Sequence, residues 1–154
     1  GENFSKFAVE FNNLINGKWK IIYKLHPGEY ANWKKRYPWL VNSGIEVVDS
    51  LRHNIYEYFA VSNVQVGVSS TAIFEGLGFG LDTFIFNTVS AECMKQLCQD
   101  GFAAEVNSAK ELADKLEKNI KSKKNKDKLF WKENAFNNLC VEINKCIDST
   151  TACS

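Results

Sequence analysis

Proline occurs only twice in this chain, at Pro27 and Pro38, and histidine only twice, at His26 and His53. There is no proline-rich linker, low-complexity tract or internal repeat, so a string of modules is excluded. Charge is scarce as a surplus too: 19 basic side chains stand against 18 acidic ones, a net of +1, without the basic excess of a nucleic-acid binder. No uninterrupted apolar stretch reaches the length that spans a bilayer. The opening GENFSKFAVE lacks the basic and apolar regions of a signal peptide. The five cysteines, Cys93, Cys98, Cys140, Cys146 and Cys153, are odd in number and contain no C-x-x-C pair. This argues against a disulfide framework or a zinc knuckle, and no cofactor or metal is expected. No histidine or other base accompanies any of these thiols in the pattern, which argues against a cysteine nucleophile. A reduced, cytoplasmic setting follows.

What is present is ordinary for a globular domain: 154 residues, 45% hydrophobic and 24% charged, enough for one sizeable core. Phe4, Phe7, Phe11, Leu14 and Ile15 recur at helical spacing, and Asn16-Gly17 stops that helix. Short apolar, β-branched runs predict strands at 21–25, 45–48, 64–68, 83–86 and 103–106. Between them fall helices over 29–36, from the Asn54 cap to Ala60, over 71–79 and over 91–99. Ser108, with Glu111 three residues on, opens a further helix as a capping box. The alternation predicts an α/β, Rossmann-like parallel sheet with helices on both faces. Seven lysines follow between Lys115 and Lys128, a solvated helix end or a patch for an anionic membrane face or polyanionic acceptor. Leu129, Phe136, Leu139, Cys140, Ile143 and Ile147 then predict a long, amphipathic C-terminal helix. The expected division is a nucleotide-binding domain over 1–125 and this terminal helix over 126–154.

Chemistry concentrates just past two of the strands. His26 and Pro27 follow the first, with Glu29 close behind; Gly67, Ser69, Ser70 and Thr71 follow the third. Ligands of open α/β sheets bind outside the carboxyl ends of strands, and free amides at a helix start attract phosphate. Each residue also has a plainer use. His26 could cap a carbonyl, Glu29 suits a helix start through the dipole, and the Ser-Ser-Thr run could be only an N-cap. Gly67 would let backbone approach a ligand. Glu75, inside the apolar AIFEGL segment, must be paired, solvent-facing or turned to a polar ligand. Gly76, Gly78 and Gly80 lie too late in their helix for a dinucleotide fingerprint and read as close packing and termination. Asp49, Ser50 and Asn54 sit past another strand end; His53 reads as surface, and Trp33, Tyr37 and Trp39 as packing.

The "HP" pair followed by "SST…E" resembles the nucleotide-binding half of bacterial GT-B fold transferases over roughly residues 18–118. Within that fold the motifs are similar to CMP-sugar sialyl- and Kdo-transferases and to CDP-glycerol glycerophosphotransferases. The resemblance implies one half of a GT-B fold and transfer of a sugar or glycerophosphate from a CMP-, CDP- or UDP-linked donor to a glycan acceptor. The setting it implies is bacterial capsule or surface-polysaccharide synthesis, cytoplasmic or peripheral at the inner membrane face. It assigns His26 to the donor phosphate as the catalytic residue. Pro27, Glu29, Gly67, Ser69, Ser70 and Thr71 would join it around the nucleotide, with Glu75 on the ribose. No catalytic base accompanies these residues, so the resemblance places it in an N-terminal domain outside this chain. The opening on a helix without Met is read the same way, as the start of a detached half that binds without turnover. Apolar surface on the terminal helix would then cover that missing domain or make a homodimer. A UDP-sugar 2-epimerase sharing the S-S-T…E edge, and a non-catalytic scaffold, are the competing readings.

Overall fold

The structure, a computed structural model, describes residues 1–119 and 133–151. In chain order its elements are α1 (Glu2–Ile15), β1 (Ile22–Lys24), α2 (Trp33–Arg36), β2 (Glu46–Val48), α3 (Ile55–Ala60) and β3 (Val64–Gly67). There follow α4 (Ala72–Gly78), β4 (Asp82–Phe86), α5 (Lys95–Gln99), β5 (Ala104–Val106), α6 (Ala109–Glu117) and α7 (Ala135–Thr151).

Neighbouring residues of β4 decide the layering. Successive side chains of a strand point to opposite faces, and here both faces are buried. Ile85 packs with Ile73 and Leu77 of α4 and with Met94 and Leu97 around α5. Phe84 packs with Phe7 and Phe11 of α1 and with Ala109 and Leu112 of α6. The sheet β3-β4-β5 is parallel throughout, with Gly67 opposite Ile85 and Phe86 opposite Val106. Helices on both faces are thus observed, and the α/β class stands.

The single sheet expected from the alternation is instead two small parallel ones, because β1 and β2 pair only with each other. Side chains bridge them in place of backbone bonds. Ile21, Val64 and Val66 all pack against the Phe7–Phe84 cluster, and Ala8 of α1 enters the core of the smaller sheet with Tyr23, Leu25, Trp33, Tyr37 and Leu40. Phe4 rests on Tyr23 of β1 and Phe86 of β4, at centroid distances of 5.8 and 6.1 Å. Helix α1 is therefore the common wall of both sheets. Its buried Ser5 donates to the Glu2 carbonyl at 2.8 Å and accepts from the Trp39 indole at 3.0 Å, so its hydroxyl is satisfied within that wall.

The five expected strands all appear, one residue shorter at several ends and, for β4, one residue longer at its start. Asn16 ends α1 in the left-handed region, and Gly80 is left-handed (φ 76°) just beyond α4, as their positions predict. The helix expected over 29–36 is broken into a 3-10 turn, Pro27–Glu29, and the single turn of α2. The break arises because Glu29 folds back onto the His26 amide while Trp33 is drawn into the core. The helix expected over 91–99 likewise opens as a 3-10 segment, Val89–Met94, before α5.

Phe136, Leu139 and Ile143 of α7 are exposed. The predicted start of this helix at Leu129, and most of the lysine run beyond Lys118, lie outside the described residues. Among the described residues, no helix is long and apolar enough to cross a membrane.

Candidate functional site

The carboxyl end of β1 runs on as extended chain through Leu25, whose amide bonds the Val48 carbonyl at 3.1 Å, to His26 (φ −66°, ψ 141°). His26 caps the 3-10 turn: its Nδ1 accepts from the Gly28 amide at 3.1 Å, and Glu29 Oε2 accepts from the His26 amide at 3.2 Å. Pro27 at the first position of the turn needs no amide partner. An Nδ1 that accepts a hydrogen bond places the proton of the neutral ring on Nε2. The exposed His26 therefore offers one outward N–H.

Glu29 is consumed internally. Its Oε1 accepts a short hydrogen bond from the buried Tyr37 hydroxyl and lies 3.7 Å from Arg36. Partial burial pushes its carboxyl up, but the bonds from Tyr37 and the His26 amide, with Arg36 beside it, hold it below the usual range. Burial and the same carboxylate raise the Tyr37 phenol; burial first, and then Glu29, raise that of Tyr23. Glu29 thus braces the turn rather than reaching out from it.

The second edge follows β3. Ser69, Ser70 and Thr71 are all exposed. Ser70 supplies the cap, its Oγ accepting from the Ala72 amide at 3.3 Å, and Thr71 makes no side-chain cap bond. At Gly67 a Cβ would lie 2.8 Å from Ile73 Cδ1, so the space beside it is filled by α4 rather than open to a ligand. Glu75 is half-buried. Gly76 serves packing, as expected: a Cβ there would land on the Gln65 carboxamide. That group donates to the Ile73 carbonyl at 2.8 Å and to Thr83 Oγ1 at 2.9 Å.

Among the described residues the His26 turn and the Ser69–Glu75 segment make no direct hydrogen bond or ion pair to each other; each sits at a carboxyl end of a parallel strand. The pairing of Phe86 with Val106, carried one residue further, sets Asn87 beside Asn107 at the edge of the larger sheet. Composition gives no hint of Asn87 and Asn107. Asn87 Nδ2 donates to Glu105 at 2.8 Å and to Asn107 Oδ1 at 2.9 Å, and Asn107 Nδ2 donates to Glu111 at 3.0 Å. Internally satisfied, this network reads as a brace for the start of α6.

The expected Ser108–Glu111 capping box forms on one side only. Ser108 Oγ accepts from the Glu111 amide at 3.2 Å, whereas Glu111 Oε2 reaches the Asn107 amide at 2.8 Å. Lys115, at 2.8 Å from Oε1, and then the Asn107 amide hold the Glu111 carboxyl down at about 2. A depressed carboxyl stabilises the fold above its unfolded value and loses that stabilisation as pH falls through its folded value. For so partly exposed a pair, about 1 kcal/mol remains after screening by solvent. Urea midpoints should therefore fall further between pH 5 and pH 2.5 in the wild type than in Glu111→Gln. Parallel pH dependences would show that the pair contributes nothing.

Asn54 caps α3 through the Tyr56 amide, His53 is exposed and pairs with Glu57, and Asp49 accepts from the buried Trp33 indole at 2.7 Å. These three have structural uses. A shallow depression of about 210 Å³ lies elsewhere, lined by Lys20, Ile22, Glu46 and residues of α3 and its approach, including His53 and Glu57. It opens at the amino-terminal end of β1 and β2, away from the edge where α/β sheets take ligands. Among the described residues no cluster of side chains could hold a metal ion. Compared with known proteins, the chain matches no family model, curated protein or solved structure.

Proposed function

We propose that this chain is the donor-nucleotide-binding half of a GT-B fold glycosyltransferase or glycerophosphotransferase of bacterial surface-polysaccharide synthesis. The observation that carries the reading is His26: a parallel strand delivers it to the carboxyl edge, and its own turn fixes Nδ1 as acceptor, leaving Nε2–H as donor. A donor in that place suits the oxygens of a nucleotide phosphate and the charge that grows on a leaving phosphate. The exposed hydroxyls of Ser69, Ser70 and Thr71, at the matching end of β3, supply further donors. Pro27 and Glu29 hold the turn, Gly67 lets α4 close on β3, and Glu75 is the candidate for ribose. The glycan acceptor, the catalytic base and an N-terminal domain complete the enzyme, and the exposed stripe of α7 meets that domain or a second copy.

Titration calorimetry with CMP, CDP, UDP and AMP tests the reading. Cytidine nucleotides should bind in preference to AMP, and less tightly as salt rises. His26→Ala should weaken binding roughly tenfold, the value of one charge-assisted hydrogen bond, at a stability cost of about 1 kcal/mol or less. A folded chain giving no heat with any pyrimidine nucleotide up to millimolar concentration would remove the proposal.

A further inference from the structure

Lys24 is the last residue of β1 and half-buried, and its ammonium is held in place by an aromatic side chain rather than an acid. Its Nζ donates to the Tyr30 hydroxyl at 2.9 Å and sits 5.5 Å from the centre of the Tyr30 ring. Among the described residues, no carboxylate lies within ion-pair distance of it. A cation with no counter-charge at hand can pair with an arriving anion.

The strand's alternation puts Lys24 and His26, two residues apart, on one side of the chain. Tyr23 and Leu25 are 8% and 2% exposed and enter the core of the smaller sheet, so Lys24 and His26 project from the opposite side of the same extended chain. The acidic groups of this edge are engaged elsewhere. Asp49 is held by Trp33, in the core on the Tyr23 side, and Glu29 by Tyr37 and the His26 amide. Among the described residues, what remains at this edge is a set of donors. An ammonium carries three protons and gives one to Tyr30; the Tyr30 hydroxyl, having accepted, keeps its own proton to give; and His26 offers Nε2–H.

We infer that Lys24 and Tyr30, together with His26, form an oxyanion pocket for a phosphate group at the carboxyl end of β1, Lys24 providing the charge and Tyr30 setting its position. That the phosphate belongs to a nucleotide rests on the function proposed above; the affinity for phosphate does not. The stretch KLHPGEY shows Lys24 and Tyr30 as residues but not the contact between them that orients the ammonium.

Three probes separate these claims on the full chain: inorganic pyrophosphate, CMP and cytidine, titrated against wild type, Lys24→Met, Lys24→Arg and Tyr30→Phe. Wild type should bind pyrophosphate and CMP, weakening with added salt, and not cytidine. Lys24→Met should lose about tenfold for both anions, Lys24→Arg should retain most of the affinity, and Tyr30→Phe should lose roughly threefold. Pyrophosphate bound by wild type and lost in Lys24→Met would sustain the pocket even if CMP binds no better, and the nucleotide reading alone would then fail. CMP binding untouched by both Lys24→Met and Tyr30→Phe would overturn the pocket and leave the nucleotide reading standing. A folded wild type blind to millimolar pyrophosphate would overturn it as well. Should Lys24→Met unfold, Tyr30→Phe decides, since it removes one hydroxyl and keeps the ring.

Discussion

Replacing Phe84 by Ala should lower unfolding free energy by about 3–5 kcal/mol, the usual cost of emptying an aromatic site in a core that relaxes only in part. Phe84 is 1% exposed and lies on the middle strand of the larger sheet, under Phe7 and Phe11 of α1 and Ala109 and Leu112 of α6. Those two helices belong to opposite ends of the domain's sequence, so the cavity would loosen both at once. For a chain of this size the melting temperature should fall by roughly ten degrees. Phe136→Ala is the internal control: that ring is 76% exposed, and its loss should move stability by about half a kcal/mol or less. Urea unfolding of both variants decides the matter. A Phe84→Ala loss below about 1 kcal/mol would mean that the α1–α6 layer is not closely packed.

Gly76→Ala should destabilise the chain by about 1–3 kcal/mol, against the helix propensity that favours Ala by about 1 kcal/mol. The sign is decided by Gln65. A methyl at position 76 lands on its carboxamide, and displacing that group breaks the bonds to the Ile73 carbonyl and to Thr83, which is 1% exposed. Thr83 keeps its bond to the Leu81 carbonyl, which limits the damage. A double-mutant cycle isolates the clash: in a Gln65→Ala background the same glycine substitution should turn neutral or stabilising. If Gly76→Ala stabilises the wild type, the carboxamide is free to move and the close approach of α4 to β3 carries no energy. Because α4 begins at Ser70 and Thr71, its displacement should also weaken any ligand held at those hydroxyls.

Much of the fold is legible in the order of residues alone. Helical spacing of Phe4, Phe7 and Phe11 marks α1, and β-branched runs mark all five strands, because burial on one face or both imposes its own period. Caps at Asn54 and Ser108 and the stops at Asn16 and Gly80 are readable because they depend on neighbours within a few residues. Less legible is the division of labour around the candidate site. Glu29 has the place and charge of a ligand contact, and only the return of the chain through Tyr37 and Arg36 shows it braced inward. Gly67 suggests open approach to a ligand, and Ile73 fills that space.

Periodicity, caps and turn residues act over a few positions, and they were enough to determine the α/β class, the order of elements and the two polar edges from sequence. Tertiary structure decided the rest. It split the strands into two sheets, with α1 as their shared wall, because strand pairing depends on which distant segments meet. It also settled which polar groups near His26 are already satisfied and which still have protons to give. A hydrogen bond between residues far apart in sequence, such as that from the Trp33 indole to Asp49, leaves no periodic trace, yet it engages a carboxylate of the edge, and among the described residues the Lys24 ammonium beside Tyr30 has no acid within ion-pair distance.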